Sequence, residues 1–428
     1  MNQKNSLTRY KSLNEIARII RSRDVSPVEI LDSVISDIEQ FNPKLNAFVY
    51  LGFDDAKKAA KDSEIRLMKG ELDGPLHGVP LAIKDLFDFK PGWPSTYGGI
   101  RALKNYKTNF YCSFAELLEK SGGIIIGKTN SPTMGLRGTC DNFLFGPTKN
   151  PFNIKYNSGG SSGGSASAVA AGLIPMAEGT DGGGSIRIPA SWCGVFGYKP
   201  SFGTVPLVMR PNAFGGDTPF IFEGPITRNV EDATTVMSCV ASFDSLDPYS
   251  VVNSIDFTNY FWNRKKSLKI AYSSDLDVFP VDPRIKELVG NSIRHFETLG
   301  AEIEEVKLGF ELSQKEMSDL WCRLIMPLNI RSLEVMKNFN FDLLGNHSED
   351  FPPEYLKWIE IGKRMSATDF FEDQEKRSSI FDKIQNILNK FDLLITPTLA
   401  CLPVLNGVDG NTKGPEKVNG EEVDPLIG

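Results

Sequence analysis

Apolar residues recur at helical spacing through the first seventy positions. Leu13, Ile16, Ala17 and Ile20 share one face of a helix. Ser26, Pro27, Val28 and Glu29 read as a capping box with proline at the first helical position, and Ile30, Leu31, Val34, Ile35 and Ile38 carry the stripe onward. Residues 47 to 51 predict a short strand, and residues 54 to 68 a further helix. From 78 to 240 the pattern changes to short apolar runs punctuated by glycine. Residues 78–83 read as a buried strand that ends on Lys84. Residues 122–126 read as a second strand after a helix over 113–120, and 173–178 as a third after a small-residue helix over 165–171. Strands alternating with helices imply an α/β fold with a mostly parallel sheet. Residues 241–266 form a polar, irregular connection. A strand follows over 267–272, then a helix that Asp282 caps, with Pro283 at its first position. Ile285, Leu288, Val289, Phe296 and Leu299 line that helix and Gly300 stops it. A strand over 301–306, mainly helical sequence over 311–390 and a last strand over 391–396 complete the order.

Composition narrows the class. With 428 residues, 41% of them hydrophobic, the chain can bury a large core. Lys and Arg number 47 against 54 Asp and Glu, a net charge of −7, which argues against nucleic acid and anionic membranes as partners. The apolar stretch 166–177 is too short to span a bilayer and contains Pro175. The first residues lack the apolar core of a secretion signal. Six cysteines lie scattered without a C-x-x-C pair and only three histidines occur, so neither a zinc site nor a disulfide framework is expected. Reduced thiols in a cytoplasmic protein fit this usage.

Three glycine-rich segments compete for the chemistry. Gly122 to Thr129 matches a phosphate-binding loop in form, but its Ile124-Ile125-Ile126 run favours strand over a loop that wraps phosphate. Gly159-Gly160-Ser161-Ser162-Gly163 matches a hydrolase nucleophile elbow, which needs a downstream histidine. The histidines suit that role poorly: His77 comes too early, His295 is expected to border a packed helix face, and His347 lies in a polar, solvated stretch. The third segment, Asp181-Gly182-Gly183-Gly184-Ser185, is either an ordinary glycine turn or a nest of N–H groups that holds an oxyanion beside a serine nucleophile. Lys84 is open in the same way, as a solvated strand end or as a base whose pKa burial lowers. Asp85 is expected to face away from it, since neighbouring strand residues point to opposite faces. In a parallel sheet, Lys84, Ser161 with Ser162, and Ser185 all reach the carboxyl edge, where open α/β sheets bind ligands. A lysine, a serine pair and a serine on a glycine nest make a hydrolase without histidine.

Taken in order, these segments resemble the amidase signature hydrolases. The likeness runs through Leu76-His-Gly-Val-Pro-Leu-Ala-Ile-Lys-Asp85, Gly127-Lys-Thr-Asn130 and Phe145-Gly-Pro-Thr-Lys-Asn-Pro151, and peaks in residues 159–172 and 179–190. Ser161 and Ser185 stand 24 residues apart, the family's interval between its catalytic serines. The resemblance implies one α/β domain over 1–428, with a mixed, mostly parallel twisted sheet covered by helices on both faces. Residues 1–72 would be N-terminal helices, 73–240 the catalytic core and 241–428 a second half. It implies Ser185 as nucleophile, Ser161 as a bridging serine after a cis peptide from Gly160, and Lys84 as base. Gly182, Gly183, Gly184 and Ser185 would give oxyanion N–H groups, and Gly135 would contact substrate. Ser162, Asp181 and Arg187 would support the loop.

The expected activity is hydrolysis of a carboxylic amide, with no metal and no cofactor. The partner is a small-molecule amide, and the assembly stays open between monomer and homodimer. The Asp181 segment looks more like stand-alone amidases, including cyclic-amide and nylon-oligomer hydrolases, than like the glutaminase subunit of tRNA-dependent amidotransferases. That subunit is one rival and an inactive truncated homologue is the other. Against the resemblance, a chain ending at Gly428 lacks the family's last strands and a helix, which predicts an unpaired sheet edge. Trp93, Met134, Phe143, Phe145 and Trp192 are candidates for an apolar pocket or for ordinary core.

Overall fold

The computed structural model describes residues 6–215, 220–252, 255–257 and 267–425. Parts of the predicted connection over 241–266, and the last residues Leu426 to Gly428, lie outside them. The chain builds two compact units.

The first unit comprises residues 1–258 with two later segments, Glu349–Phe351 and Leu405–Thr412. Helices α1 (Leu13–Arg21) and α2 (Pro27–Leu45) open on reciprocal capping boxes, Ser12 with Glu15 and Ser26 with Glu29. Strand β1 (Phe48–Leu51) and helix α3 (Phe53–Met68) follow. Then come β2 (Pro80–Lys84), α4 (Ser113–Lys120) and β3 (Ile124–Thr129). A hairpin of β4 (Lys149–Asn150) and β5 (Asn153–Asn157) leads to α5 (Gly163–Ala170), β6 (Met176–Asp181) and α6 (Arg187–Cys193). The unit's regular structure ends with β7 (Phe196–Gly197), β8 (Phe222–Thr227) and α7 (Val230–Val240).

Six strands form one mixed sheet in the order β1-β3-β2-β6-β8-β7. The central three, β3, β2 and β6, are parallel, and the flanking pairs are antiparallel. Alternation along the strands sends side chains to opposite faces. Ala82, Ile124 and Ile126 pack with α2, α3 and α5, through Leu31, Val34, Ile38, Ala56, Ala60, Ala166 and Val169. Leu81 packs with α1, α4 and α7, through Leu13, Ile16, Ile20, Phe114, Leu118, Val236 and Met237. The apolar stripes read from the sequence in α1 and α2 are therefore the faces that cover the sheet.

Two boundaries differ from the sequence pattern for a clear reason. Strand β6 starts at Met176, not 173, because Pro175 has no N–H for the ladder. It then continues through Asp181, paired along its length with β8. Strand β3 extends through Gly127, Lys128 and Thr129, so the phosphate-loop-like segment is extended backbone.

In the second unit, β9 (Lys269–Tyr272), α8 (Pro283–Thr298) and β10 (Glu302–Glu305) lead into a helical stretch of α9 (Gln314–Met336), α10 (Leu343–Asn346), α11 (Pro353–Arg364) and α12 (Ala367–Leu388). Strand β11 (Leu393–Ile395) follows, then a small hairpin of β12 (Lys417–Val418) and β13 (Glu421–Glu422). A parallel sheet has the order β10-β9-β11. Asp282 caps α8, as its sequence predicts. Its stripe is less buried than predicted: Ile293 is covered, whereas Leu288 and Leu299 are 67% and 78% exposed. A three-stranded sheet is too narrow to cover a sixteen-residue helix along its length. His295 is exposed on this helix, not set against a packed face.

Candidate active site

Lys84, the last residue of β2, is wholly buried. Its Nζ lies 2.8 Å from Ser161 Oγ, 2.9 Å from Ser162 Oγ and 2.6 Å from Thr180 Oγ1. A neutral amine has two N–H donors and one lone pair. Ser162 donates its own proton to the Thr180 carbonyl, 3.2 Å away, and so accepts from the lysine. With Thr180 Oγ1 as the second acceptor, the lone pair is left for Ser161. Burial lowers the Lys84 pKa to about 8, against an upward pull from Asp88 and Glu178. Asp85 turns the other way, as strand alternation predicts. It accepts from Thr96 N–H and pairs with buried Lys128 at 3.0 Å.

Ser161 follows Gly160 through a cis peptide and precedes α5. It is 1% exposed and Ser162 is 0% exposed. Gly160 is packed against backbone: a Cβ there would lie 2.5 Å from the Thr139 carbonyl oxygen, so no other residue fits. The Gly160 N–H donates to the Gly138 carbonyl at 2.7 Å. Gly135 adopts φ +69°, and a Cβ on it would point within 3.5 Å of Ser161 Oγ. Its backbone therefore forms part of the wall beside that hydroxyl.

Ser185 follows the glycine run after β6 and is half-buried, so it is open to a ligand while the lysine is not. Its carbonyl accepts the Ser162 N–H at 3.0 Å, which ties the two serine segments together. Asp181 organises the loop. Its carboxylate accepts from the N–H of Gly184 at 2.7 Å and of Ile186 at 3.1 Å, and holds the Arg187 guanidinium through two bonds of 2.9 and 2.8 Å. Burial pushes the Asp181 pKa up, but Arg187 and these N–H donors outweigh it and hold the carboxyl below its ordinary value. Gly184 is consequently a correction to the oxyanion set: its N–H is spent on Asp181. Among the described residues, no acceptor takes the N–H of Gly183 or of Ser185.

The sequence did not single out Thr180, Asp88 or Glu178. Glu178 Oε2 accepts the Lys84 backbone N–H at 2.8 Å. The available signal was a charged residue within an apolar strand. His77 is enclosed between Asp73 and the Ser63 carbonyl, 3.0 Å away, and takes no part in the serine cluster. Of the candidate pocket residues, Trp93 is core: it is 2% exposed, donates to Asp55 and packs on Tyr50. Met134 is buried, while Phe143, Phe145 and Trp192 are half-buried. Ligand atoms of Asp88, Cys112 and Glu223 lie within 4.8 Å of one another. Burial pushes the pKa values of both Cys112 and Glu223 well above their ordinary range.

A buried lysine among three hydroxyls, two serines on the carboxyl edge of a mixed sheet and a serine on a glycine loop define a hydrolase of amide bonds. The chain belongs to the Amidase family, which it matches over residues 29–421, through both units. It is 34% identical over 396 residues to an acylamidase of Rhodococcus erythropolis, covering 91% of this chain and 79% of that one. Among solved structures, a bacterial aryl acylamidase of the amidase signature family is 46% identical with a TM-score of 0.95, covering 98% of this chain and 86% of that one. The 6-aminohexanoate cyclic dimer hydrolase in complex with substrate is 25% identical with a TM-score of 0.82, covering 96% and 84%. The expected kinship with stand-alone and cyclic-amide hydrolases agrees with these relatives. No helix among the described residues is long and apolar enough to cross a membrane.

Proposed function

We propose that this amidase cleaves its substrate through an acyl-enzyme on Ser185, with Ser161 as proton relay and Lys84 as base. Ser185 Oγ attacks the amide carbonyl carbon as its proton passes to Ser161, whose own proton moves to neutral Lys84. The N–H groups of Gly183 and Ser185 receive the oxyanion. The C–N bond breaks, the proton returns through Ser161 to the departing amine, and water hydrolyses the ester by the same relay. The observation that carries this reading is the Lys84 Nζ surrounded by three uncharged hydroxyls, which lets a buried amine be both neutral and aimed at Ser161. By likeness to the aryl acylamidase, the substrate class is an N-acylated aromatic amine.

Incubation with a chromogenic anilide tests the reading. The wild-type chain releases the aromatic amine, and Ser185→Ala loses that turnover while still folding. A covalent acyl adduct in Ser185→Ala, seen by intact mass, would move the nucleophile to Ser161. Glutamine hydrolysis that requires a partner protein, with no anilide turnover, would restore the glutaminase alternative.

A further inference from the structure

A group of carboxyls lies beside the lysine and has no part in the chemistry proposed above. Asp88, in the turn after β2, and Glu178 on β6 are 0% exposed, and Glu223 on β8 is 4% exposed. Glu178 and Thr180 are two residues apart on one strand, and Glu223 is the register partner of Thr180, so all three side chains share the face that Lys84 reaches. Both oxygens of Asp88, Oε1 of Glu178 and Oε2 of Glu223 have no protein donor. Buried acceptors without donors are rare in native proteins, because each forfeits its hydration. The Asp88 and Glu178 carboxyls act on each other within this dry region. Two neighbouring carboxylates without solvent do not both ionise. One proton between them supplies the missing donor and leaves one negative charge.

We propose that Asp88 and Glu178 share one proton and act as a positioning pair, whose single charge sets the balance between amine and ammonium at Lys84 while Glu178 Oε2 anchors the Lys84 backbone. The proposal rests on Lys84 being the base. The other groups facing this region leave the pair as its uncompensated charge. Asp85 is matched by Lys128 and Asp181 by Arg187. Burial favours the protonated forms of Glu223, Cys112 and Cys140. After burial, Asp88 exerts the largest influence on Lys84, followed by Glu178, and both favour the ammonium. A pair with two charges would hold Lys84 protonated and stop the relay. A pair with none would release the proton at lower pH.

The test is a set of isosteric variants of the full chain: Glu178→Gln, Asp88→Asn and the double substitution. Each is read by the pH dependence of kcat/KM on an anilide and by the infrared absorption of protonated carboxyl groups in the resting protein. Either single variant should leave the acid limb within a few tenths of a pH unit, because the remaining carboxyl keeps the one charge. The double variant should move the limb down by about one pH unit or more, the scale of a lost neighbouring charge. Each single variant should also lose one acid's worth of carbonyl absorption at neutral pH, since the proton no longer has two owners. A general loss of packing would lower rates without moving the limb in this pattern. Shifts that simply add across the two singles, an unmoved limb in the double, or unchanged acid absorption would each overturn the shared proton. If the double variant does not fold, the single variants and their infrared difference decide. If the wild-type chain turns over no amide, the hydrolase reading fails, and the infrared comparison still decides the pair by itself.

Discussion

Lys84 is the residue on which the proposed chemistry turns, and its solvation makes that testable. Free lysine ionises near 10.4 and is charged at neutral pH. Burial lowers this one to about 8, so its neutral form grows as pH rises through that value. The amidase rate should therefore climb through an ionisation near 8 and reach a plateau above it. Lys84→Ala should lose roughly 10²–10⁴-fold in kcat/KM together with that pH dependence. An alanine variant with an unchanged pH profile and a small loss would return Lys84 to the role of a buried strand end. Histidine offers the contrasting case. His295→Gln and His347→Gln should leave both rate and melting temperature close to wild type. His77→Gln should cost on the order of 1–3 kcal/mol, seen in thermal unfolding, because it disturbs the buried contacts with Asp73 and the Ser63 carbonyl. Its activity measured well below the transition should survive.

Helix α5 shows how an element built of small residues sets the site. Its Gly164 lies so close to its neighbours that a Cβ would come 2.3 Å from the Asn130 nitrogen and 2.5 Å from the Ala47 carbonyl oxygen. The Gly164 N–H donates to the Asn130 carbonyl at 3.1 Å. Gly164→Ala must push α5, and Ser161 and Ser162 before it, away from β3. The expected cost is about 3 kcal/mol or more by chemical denaturation, with a fall in kcat. Gly92→Ala, at φ +79° with open space around it, should cost only about 1–2 kcal/mol from backbone strain and leave kcat alone. Much of this arrangement was legible beforehand. The parallel strands that lead to Lys84 and Asp181, the helix after Ser161 and the Ser26–Glu29 capping box all follow from local spacing. What spacing could not convey was which backbone N–H groups remain available, because that depends on where the Asp181 carboxylate turns. Nor could it show that Thr180 completes the surroundings of Lys84, or that Glu178 accepts the Lys84 backbone N–H. Those facts depend on register between β6, β8 and β2, which only the folded sheet fixes. The stripe of α8 misled in the opposite direction: a strong apolar period does not guarantee a neighbour wide enough to cover it.

At the scale of the whole chain, the first unit is not a contiguous piece of sequence. It receives Glu349–Phe351 and Leu405–Thr412 from far downstream. Asp350 is buried, pairs with Arg101, and accepts the Ala102 N–H at 2.9 Å. Thr412 donates its N–H and hydroxyl to Asp141 at 3.1 and 2.6 Å, and its carbonyl accepts from Thr139 at 2.7 Å. A fragment ending at residue 258 would leave these buried polar groups without partners. It should melt well below the full chain, and a peptide spanning residues 405–412, added in excess, should raise its transition temperature. Equal melting temperatures for fragment and full chain would show that the returning segments contribute nothing.

The same threading has a consequence for how the protein comes into being. On the ribosome, Lys84, Ser161 and Ser185 emerge early, and their strands can pair as they leave the exit tunnel. The segment that secures Arg137 to Asp141, beside the Gly160–Ser161 peptide, leaves the tunnel only after more than two hundred further residues. Every nascent chain thus carries its reactive groups through that interval without the clasp of residues 405–412. The clasp forms only once Thr412 has been made and can close onto Asp141.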